Sequence, residues 1–346
     1  MKKNVLALAV GAALTAAYVP AMAEIKVSGR AHMSLDHMDN GADSKMDLSS
    51  NSSRIRFAGS KNITEGLQGF VQLEQQIDFD RRAEDNSGTR GNTFVTRDTF
   101  FGLKGDFGTV RLGFFDTPTK KVRSFTDMFG DRVGDARNMT KGTFDQRFHN
   151  SIHYQTPAMS GLTFDIQYST DNRAKSGDQV ATTGERDSVS TSLTFKSGDL
   201  TAMLAYEAQG RGDNAKDWTA VRMGATYNVA KGFRVAAFIE DADKNSNDNT
   251  VFGLGTYYDL TPEYRLRAQY YVAGESSAKN DGASMAAVGI DRRFGRDLTL
   301  YAMYAATSND SGASFRVTGG GHGSSMAPSE AGKNVSAFSL GAIYNF

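Results

Sequence analysis

The sequence predicts an all-β fold: a transmembrane antiparallel β-barrel of sixteen strands, with the third long loop folded into the lumen. Three observations lead to this prediction. Apolar and polar residues alternate through most of the chain after residue 24, the connections alternate between short and long, and the alternation stops over one charged stretch, residues 115–147. Alternation with a period of two is typical of half-buried strands, and alternating short turns and long loops are typical of bacterial membrane barrels.

Residues 1–23 have the composition of an export signal. Two lysines give a positive start, residues 5–17 are an apolar run, and residues 21–23 read Ala-Met-Ala, a small-x-small cleavage site. The apolar run is too short for a membrane helix, which needs ~20 apolar residues. We therefore expect secretion, cleavage of residues 1–23 as a signal peptide, and a single mature domain over residues 24–346.

Composition narrows the function classes. The chain has 39 basic and 39 acidic residues and a formal net charge of +0, whereas a nucleic-acid-binding protein has a basic excess. We therefore expect no nucleic-acid partner. The chain has no cysteine, and a ring of strands closed by backbone hydrogen bonds needs no disulfide. A soluble β-sandwich stays open at this point, since its short strands and Gly-rich turns give a similar composition.

Residues 161–169 show the strand pattern most clearly. Leu162, Phe164, Ile166 and Tyr168 share one face, and the intervening Thr, Asp, Gln and Ser share the other. Apolar faces elsewhere also end in Tyr or Phe, as an aromatic girdle at a lipid interface requires, and polar faces contain Arg and Gln, which suits a wet lumen. These features favour a barrel over a sandwich. Because lipid offers the backbone no hydrogen bonds, the strands must close into a ring.

The connections set the number of strands. Seven short turns alternate with eight long polar loops, so fifteen connections join sixteen strands. The third long loop is the stretch in which the alternation stops, and Pro118 after Asp116 suits the start of a short helix there, with plain coil as the alternative. The short turns fall at residues 61–66, 105–106, 157–161, 197–199, 230–232, 261–263 and 295–297, and the long loops at 39–50, 81–93, 115–147, 171–186, 209–217, 241–248, 275–282 and 308–333.

Several segments resemble one protein family. Residues 51–57 read Asn-Ser-Ser-Arg-Ile-Arg-Phe, residues 101–113 read Phe-Gly-Leu-Lys-Gly-Asp-Phe-Gly-Thr-Val-Arg-Leu-Gly, and the chain ends in Tyr-Asn-Phe. With these segments the whole mature chain resembles the Gram-negative general (non-specific) porin family. The resemblance implies a homotrimer of water-filled pores in the cell outer membrane. Ions and small hydrophilic solutes would diffuse through it passively, with no enzymatic activity and no cofactor.

The resemblance also implies partners. The trimer would lie among outer-membrane lipid and lipopolysaccharide, and the terminal Phe346, with Tyr344, would be read by the outer-membrane barrel assembly machinery. The last strand must pair with the first, residues 25–35, to close the ring. The third long loop, about residues 115–147, would narrow each pore.

A pore selects solutes by its width and by the charges that face it, and the alternation predicts which charges face inward. If the apolar residues beside them on the strands face lipid, the following arginines point inward: Arg54, Arg56, Arg111 and Arg147. Both faces around Arg97 contain apolar residues, so its inward direction is implied by the resemblance alone. The acids expected to oppose this basic wall all lie in the third long loop: Asp116, Asp127, Asp131, Asp135 and Asp145.

This arrangement predicts a transverse electric field across the pore and a mild anion preference. The alternative interpretation is that the inward arginines form structural salt bridges with Glu74 or Glu240. Two other functions stay open. A substrate-specific porin would need a trail of inward aromatic residues, for which Tyr257, Tyr271 and Tyr301 are candidates. An outer-membrane barrel enzyme of the protease or lipase type would need an Asp/His or Ser/His set near one rim.

Two further motifs are expected to have no chemical role. His149 and His153 share a face, but four residues along a strand span ~13 Å, so no metal site is expected there. Residues 319–323 read Gly-Gly-Gly-His-Gly without the strand–helix context of a phosphate-binding loop. We expect these glycines to form a flexible outer loop.

Overall fold

The structure is a computed structural model that describes residues 24–80, 94–172, 186–211, 216–244, 248–277 and 280–346. The predicted signal peptide, residues 1–23, and the predicted second long loop, residues 81–93, lie outside the described residues.

The described residues form one large β-sheet with little helix. One α-helix, α1 (Pro118–Thr126), and a 3-10 helix (Ala136–Asn138) are found in this part of the chain. None of the described helices has the length and apolar character needed to cross a membrane. The strands are β1 (Glu24–Asp39), β2 (Ser44–Ser50), β3 (Arg54–Thr64), β4 (Leu67–Ile77), β5 (Phe94–Thr96), β6 (Thr99–Gly105), β7 (Gly108–Asp116), β8 (Arg147–Gln155), β9 (Leu162–Ser169), β10 (Ser188–Ser197), β11 (Leu200–Gln209), β12 (Trp218–Ala230), β13 (Phe233–Asp243), β14 (Asn249–Asp259), β15 (Tyr264–Ala273), β16 (Ala283–Phe294), β17 (Leu298–Asn309) and β18 (Val335–Asn345).

The sheet closes on itself. Neighbouring strands pair antiparallel in chain order, and β1 pairs with β18 from Arg30–Asn345 to Asp39–Ser336. The eighteen strand segments make sixteen barrel strands, because two of the barrel strands are interrupted. β2 and β3 both pair with β1, and β5 and β6 both pair with β4. The predicted sixteen-stranded antiparallel barrel is therefore confirmed.

The first connection is shorter than predicted. Most of the stretch predicted as a long loop, residues 39–50, is strand β2, which pairs with the end of β1. Only residues 40–43 form the turn, where the Asn40 side chain accepts hydrogen bonds from the backbone N–H groups of Ala42 and Asp43. β2 has a period-two pattern of only two apolar residues, Met46 and Leu48, which are both exposed on the outer face. Its other residues are mostly polar, so the stretch resembles a loop in the sequence.

The two faces of the sheet have opposite character. On β9, Phe164, Ile166 and Tyr168 are exposed, whereas the side chains between them, Asp165 and Gln167, are buried. This is the reverse of a water-soluble protein, in which apolar side chains are buried and charged ones exposed. An apolar outer face with a polar interior is what a membrane barrel requires.

The last residue completes the ring. The backbone of Phe346 exchanges two hydrogen bonds with Gly29 on β1, at 2.7 and 3.1 Å. The Phe346 ring lies directly over Gly29, where a Cβ would collide with it. Glycine at position 29 therefore allows the terminal aromatic ring to cover the seam between the first and last strands.

The third long loop, residues 117–146 between β7 and β8, crosses the space that the sheet encloses. Asp131 in this segment lies 3.6 Å from Arg30 on β1. Thr119, in the same segment, accepts a hydrogen bond through its carbonyl from Arg222 on β12 at 3.3 Å. Because β1 and β12 are far apart in the order of strands, only a segment inside the ring reaches both. We call residues 117–146 the infolded segment.

Helix α1 lies at the start of the infolded segment, so of the two alternatives that the sequence leaves open there, helix and coil, the structure has the helix. Thr117 caps it, since its side chain accepts a hydrogen bond from the Lys120 backbone N–H at 3.1 Å. Gly224 on β12 lets the helix approach the sheet closely, because a Cβ there would lie 2.9–3.0 Å from Thr126 and Val122. The helix is thus held against the barrel wall.

Candidate functional site

The infolded segment and the strands facing it enclose a charged cavity of about 600 Å³. Nine bases and four acids line this cavity, an excess of five positive charges when all are ionised. Charges in such a confined space interact more strongly than charges in bulk water. The bases are Arg30, Arg54, Arg97, Lys120, Arg123, Arg132, Arg137, Arg147 and Arg267, and the acids are Asp116, Asp127, Asp131 and Asp135.

Glu74 on β4 holds three of the predicted arginines. Its carboxylate accepts hydrogen bonds from Arg56 Nε at 2.9 Å and Arg97 Nε at 2.8 Å, and Arg54 Nε lies 4.0 Å away. Arg54 and Arg97 also line the charged cavity, but Arg56 does not. Arg54 and Arg97 therefore bind Glu74 and also face the cavity. Three guanidinium groups share this one carboxylate, so it does not neutralise all of them.

Arg147 opens β8 beside the infolded segment. Its Nε lies 2.6 Å from Asp98 and 3.0 Å from Asp116. Lys120 Nζ approaches the same Asp116 carboxylate at 2.6 Å. Burial lowers the pKa of the Lys120 ammonium to about 8, although Asp116 favours its charged form. Arg147 and Asp116, which are predicted to lie on opposite sides of the pore, are therefore joined in one chain of ion pairs.

Arg123 on α1 organises the acids of the infolded segment. Its guanidinium donates hydrogen bonds to Asp127 at 2.9 Å, Asp135 at 3.3 Å and Asp145 at 2.8 Å. Burial, reinforced by the charge of Asp135, raises the pKa of Asp127 to about 8. Asp127 therefore holds its proton near neutral pH, and the ionised lining is more basic than the residue count suggests.

Asp145 is the one predicted aspartate that does not line the cavity. Its side chain is 0% exposed and is bound by both Arg123 and Arg222, the latter at 3.0 Å. Although burial disfavours its charge, these two arginines hold the pKa of Asp145 well below its usual range. Asp145 is thus a buried anchor that fixes the infolded segment to β12.

Arg111 also lies away from the charged cavity. Its Nη2 is 3.3 Å from His153 Nδ1, and its guanidinium stacks over Phe115 with 4.7 Å to the ring centroid. His153 in turn lies 2.9 Å from Asp165. Alternation along a strand therefore does not indicate whether an inward residue reaches the charged cavity.

Six cavity bases are missing from the predicted site. Two of them, Arg30 and Arg267, alternate with apolar residues along their strands, so the alternation also predicts that they point inward. Arg267 Nε donates a hydrogen bond to Asp291 at 2.7 Å. The other four, Lys120, Arg123, Arg132 and Arg137, lie in the infolded segment, where no period indicates direction. Of the residues that the structure describes, no group of three or more His, Cys, Asp or Glu is placed to hold a metal ion.

Comparison with known proteins agrees with this geometry. A family model described as Gram-negative porin matches residues 7–312. The chain is 30% identical over 187 residues to the major outer membrane protein P.IB of Neisseria gonorrhoeae, and this alignment covers 51% of each chain. It therefore spans about half the length of that relative. The chain is also 30% identical over 251 residues to the outer membrane porin protein 32 of Delftia acidovorans, and this alignment covers 67% of this chain and 68% of the relative.

A solved structure shows the same fold. The anion-selective porin from Comamonas acidovorans superposes with a TM-score of 0.77 at 20% identity, over 94% of this chain and 100% of that one. The family match extends over most of the sequence, and the closed sheet agrees with it. The chain therefore belongs to the Gram-negative porin family.

Proposed function

We propose that this protein forms a water-filled outer-membrane channel for passive diffusion of ions and small hydrophilic solutes. The observation that carries the proposal is a charged cavity within a closed sheet whose outer face is apolar. A barrel with an apolar exterior is stable in lipid, and a charged interior stabilises passing ions and polar solutes. Family membership favours this function over an outer-membrane barrel enzyme.

We propose that the channel prefers anions. Nine bases face four acids in the cavity, and Asp127 is largely protonated near neutral pH because its pKa is raised to about 8. The predicted basic wall of Arg54, Arg97 and Arg147 contributes three of these bases. An anion entering this space meets a net positive lining, whereas a cation is repelled.

The substrate-specific alternative has less support. Tyr271 and Tyr301 are 1% and 5% exposed, and neither they nor Tyr257 line the charged cavity. The Tyr301 hydroxyl is instead hydrogen-bonded to His32 at 2.9 Å. Their positions do not form an aromatic path for a sugar or another specific solute.

The apolar outer face of the barrel also bears on how the protein is assembled in the membrane. We propose that residues 1–23 are removed as a signal peptide and that the barrel forms a homotrimer among outer-membrane lipid and lipopolysaccharide. Exposed Leu340, Tyr344 and Phe346 on the outer face of β18 and its end support an apolar contact with lipid or with a second subunit. Tyr344 and Phe346 are the proposed signal for the barrel assembly machinery.

Single-channel recording in planar bilayers tests the proposed function. Purified folded protein is expected to give discrete conductance steps, and closure in three equal steps would support a trimer. Protein unfolded by heat before addition is the control and is expected to give none. A folded, membrane-inserted protein without conductance would overturn the channel proposal.

A further inference from the structure

The last long loop also folds into the barrel. In this loop, which connects β17 to β18, Val317 accepts a hydrogen bond through its carbonyl from the backbone of Gly134 at 2.7 Å. Thr318 pairs with Val133 in a β-bridge. Phe315 is also buried, at 5% exposed. The loop therefore adds a short strand-like edge to the infolded segment, and the expectation of a flexible outer loop is wrong.

Three consecutive glycines, residues 319–321, lie on charged side chains of the infolded segment. A Cβ added at residue 319 would lie against Asp135, one at residue 320 against Arg137, and one at residue 321 against Asp131. Each of these distances is shorter than an ordinary van der Waals contact. Glycine allows this close approach because it has no side chain. Gly320 is moreover part of the lining of the charged cavity. The glycines thus bring backbone, rather than side chain, to the infolded segment and to the lining of the charged cavity.

A buried contact between a histidine and an aspartate fixes this loop. His322 Nε2 lies 3.3 Å from Asp36 on β1, and both side chains are 0% exposed. The Asp36 carboxylate also accepts hydrogen bonds from Ser34 at 3.0 Å, Ser49 at 2.6 Å and Ser339 at 2.5 Å. A buried carboxylate with this many partners has a defined position, so the residue next to the glycines is anchored to the wall.

The residues between β2 and β3, residues 51–53, contact the same loop. Ser52, which has a positive φ of 51°, donates a hydrogen bond from its hydroxyl to the carbonyl of Gly321 at 2.8 Å. Asn51 accepts one from the backbone of Gly323 at 3.0 Å. Residues 51–53 interrupt the strand, and two of them, Asn51 and Ser52, bind the glycine segment. The barrel wall is therefore shaped to hold this loop inward.

We propose that residues 313–326 form a second constriction element, which narrows the channel at Gly320. The inference rests on the proposed channel function and adds a determinant of size and selectivity to it. The loop contacts the infolded segment through backbone, is anchored by His322, and presents Gly320 to the cavity beside Arg137. A side chain introduced at position 320 projects into the space through which solutes pass.

Single cysteines test this inference, because the chain contains none. Gly320→Cys is compared with Ala327→Cys, an exposed position in the same loop that is not part of the cavity lining. Each is recorded in planar bilayers before and after reaction with a negative or a positive methanethiosulfonate reagent. Modification at position 320 is expected to lower the conductance about twofold, and the two reagents to shift the reversal potential in opposite directions. Modification at position 327 is expected to change neither.

The outcomes separate this inference from the proposed function. If the unsubstituted protein gives no conductance, the channel proposal is wrong. If it conducts, and fully modified Gly320→Cys conducts and selects ions in the same way, the second constriction element is wrong. Failure of the folded variant to react with either reagent would also overturn it. Gly320→Ser is the second variant should the cysteine form fold poorly; it is expected to lower conductance without any reagent.

Discussion

At the scale of single residues, inward charges have two distinct roles. Arg222 is fully buried and bonded to Glu240 and Asp145, so it fixes the infolded segment to the wall. Arg54 and Arg97, by contrast, share one carboxylate and line the cavity. Charges of the first kind define the shape of the channel, and charges of the second kind define its electrostatic potential.

Replacing Arg222 tests the anchoring role. Arg222→Met is expected to destabilise the barrel by about 3–5 kcal/mol, because Glu240 and Asp145 stay buried after losing a shared partner. The temperature at which the barrel loses its folded gel mobility measures this loss. Lys216→Met, at an exposed ion pair with Asp243, is the control and is expected to change little. Equal melting of both variants would contradict the anchoring role.

The pH dependence of selectivity tests the charge of the cavity. Burial raises the pKa of Asp127 to about 8 and lowers that of Lys120 to about 8. As pH rises through this value, Asp127 gains a negative charge and Lys120 loses its positive charge. Both changes make the lining less positive, so anion preference should weaken between about pH 6.5 and about pH 9.5.

Reversal potentials recorded across this range measure the change. The double variant Asp127→Asn with Lys120→Gln removes both titrating groups and is expected to give a much flatter profile. A barrel whose anion preference strengthens as pH rises would show that these two groups do not govern the cavity charge.

Sequence reasoning at this scale is more successful on strands than in the infolded segment. Arg54 and Arg147 are predicted inward from their apolar neighbours, and both line the cavity. For Arg147 the argument itself is wrong, because the neighbour expected to face outward, Phe148, is 0% exposed. Asp145 and Arg123 lie in a segment without a regular period, so the sequence does not indicate that one is a buried anchor and the other its partner. Their positions depend on contacts with β12, which is distant in sequence.

At the scale of elements, the strands are the most predictable part of the chain. The outward face of β11 (Leu200–Gln209) follows directly from its alternation, and Leu204 is 48% exposed on it. Pro118 after Asp116 suits the start of helix α1, but the sequence leaves plain coil open as the alternative. The infolding of residues 313–326 is not predictable in this way, because it depends on glycines meeting particular charged side chains across the barrel.

A charge on the outer face of β11 tests which face meets lipid. Leu204→Arg is expected to destabilise the folded barrel by about 2–4 kcal/mol, the cost of an arginine near the middle of a bilayer. Urea unfolding in lipid vesicles measures this value. Ala327→Arg, at an exposed loop position, is the matched control and should leave stability nearly unchanged. A Leu204→Arg barrel as stable as the control would show that this face does not contact lipid.

At the scale of the whole molecule, closure of the sheet explains how the other features work together. Pairing of β1 with β18 removes the open edges of the sheet, so the backbone can lie in lipid without unpaired groups. The enclosed space is then filled from within by the infolded segment and by the last long loop. Sixteen strands provide the enclosure, and we propose that the two loops, with the arginines facing them, provide the constriction.

The most direct test of this account is the reversal potential of the channel in a potassium chloride gradient. The unsubstituted protein is expected to prefer chloride. The triple variant Arg54→Gln, Arg97→Gln and Arg147→Gln removes three of the nine cavity bases, so its reversal potential should shift toward potassium. Arg56→Gln, which also removes an arginine bound to Glu74 but not a base of the cavity, is expected to shift it little. A triple variant with the reversal potential of the unsubstituted protein would contradict the account.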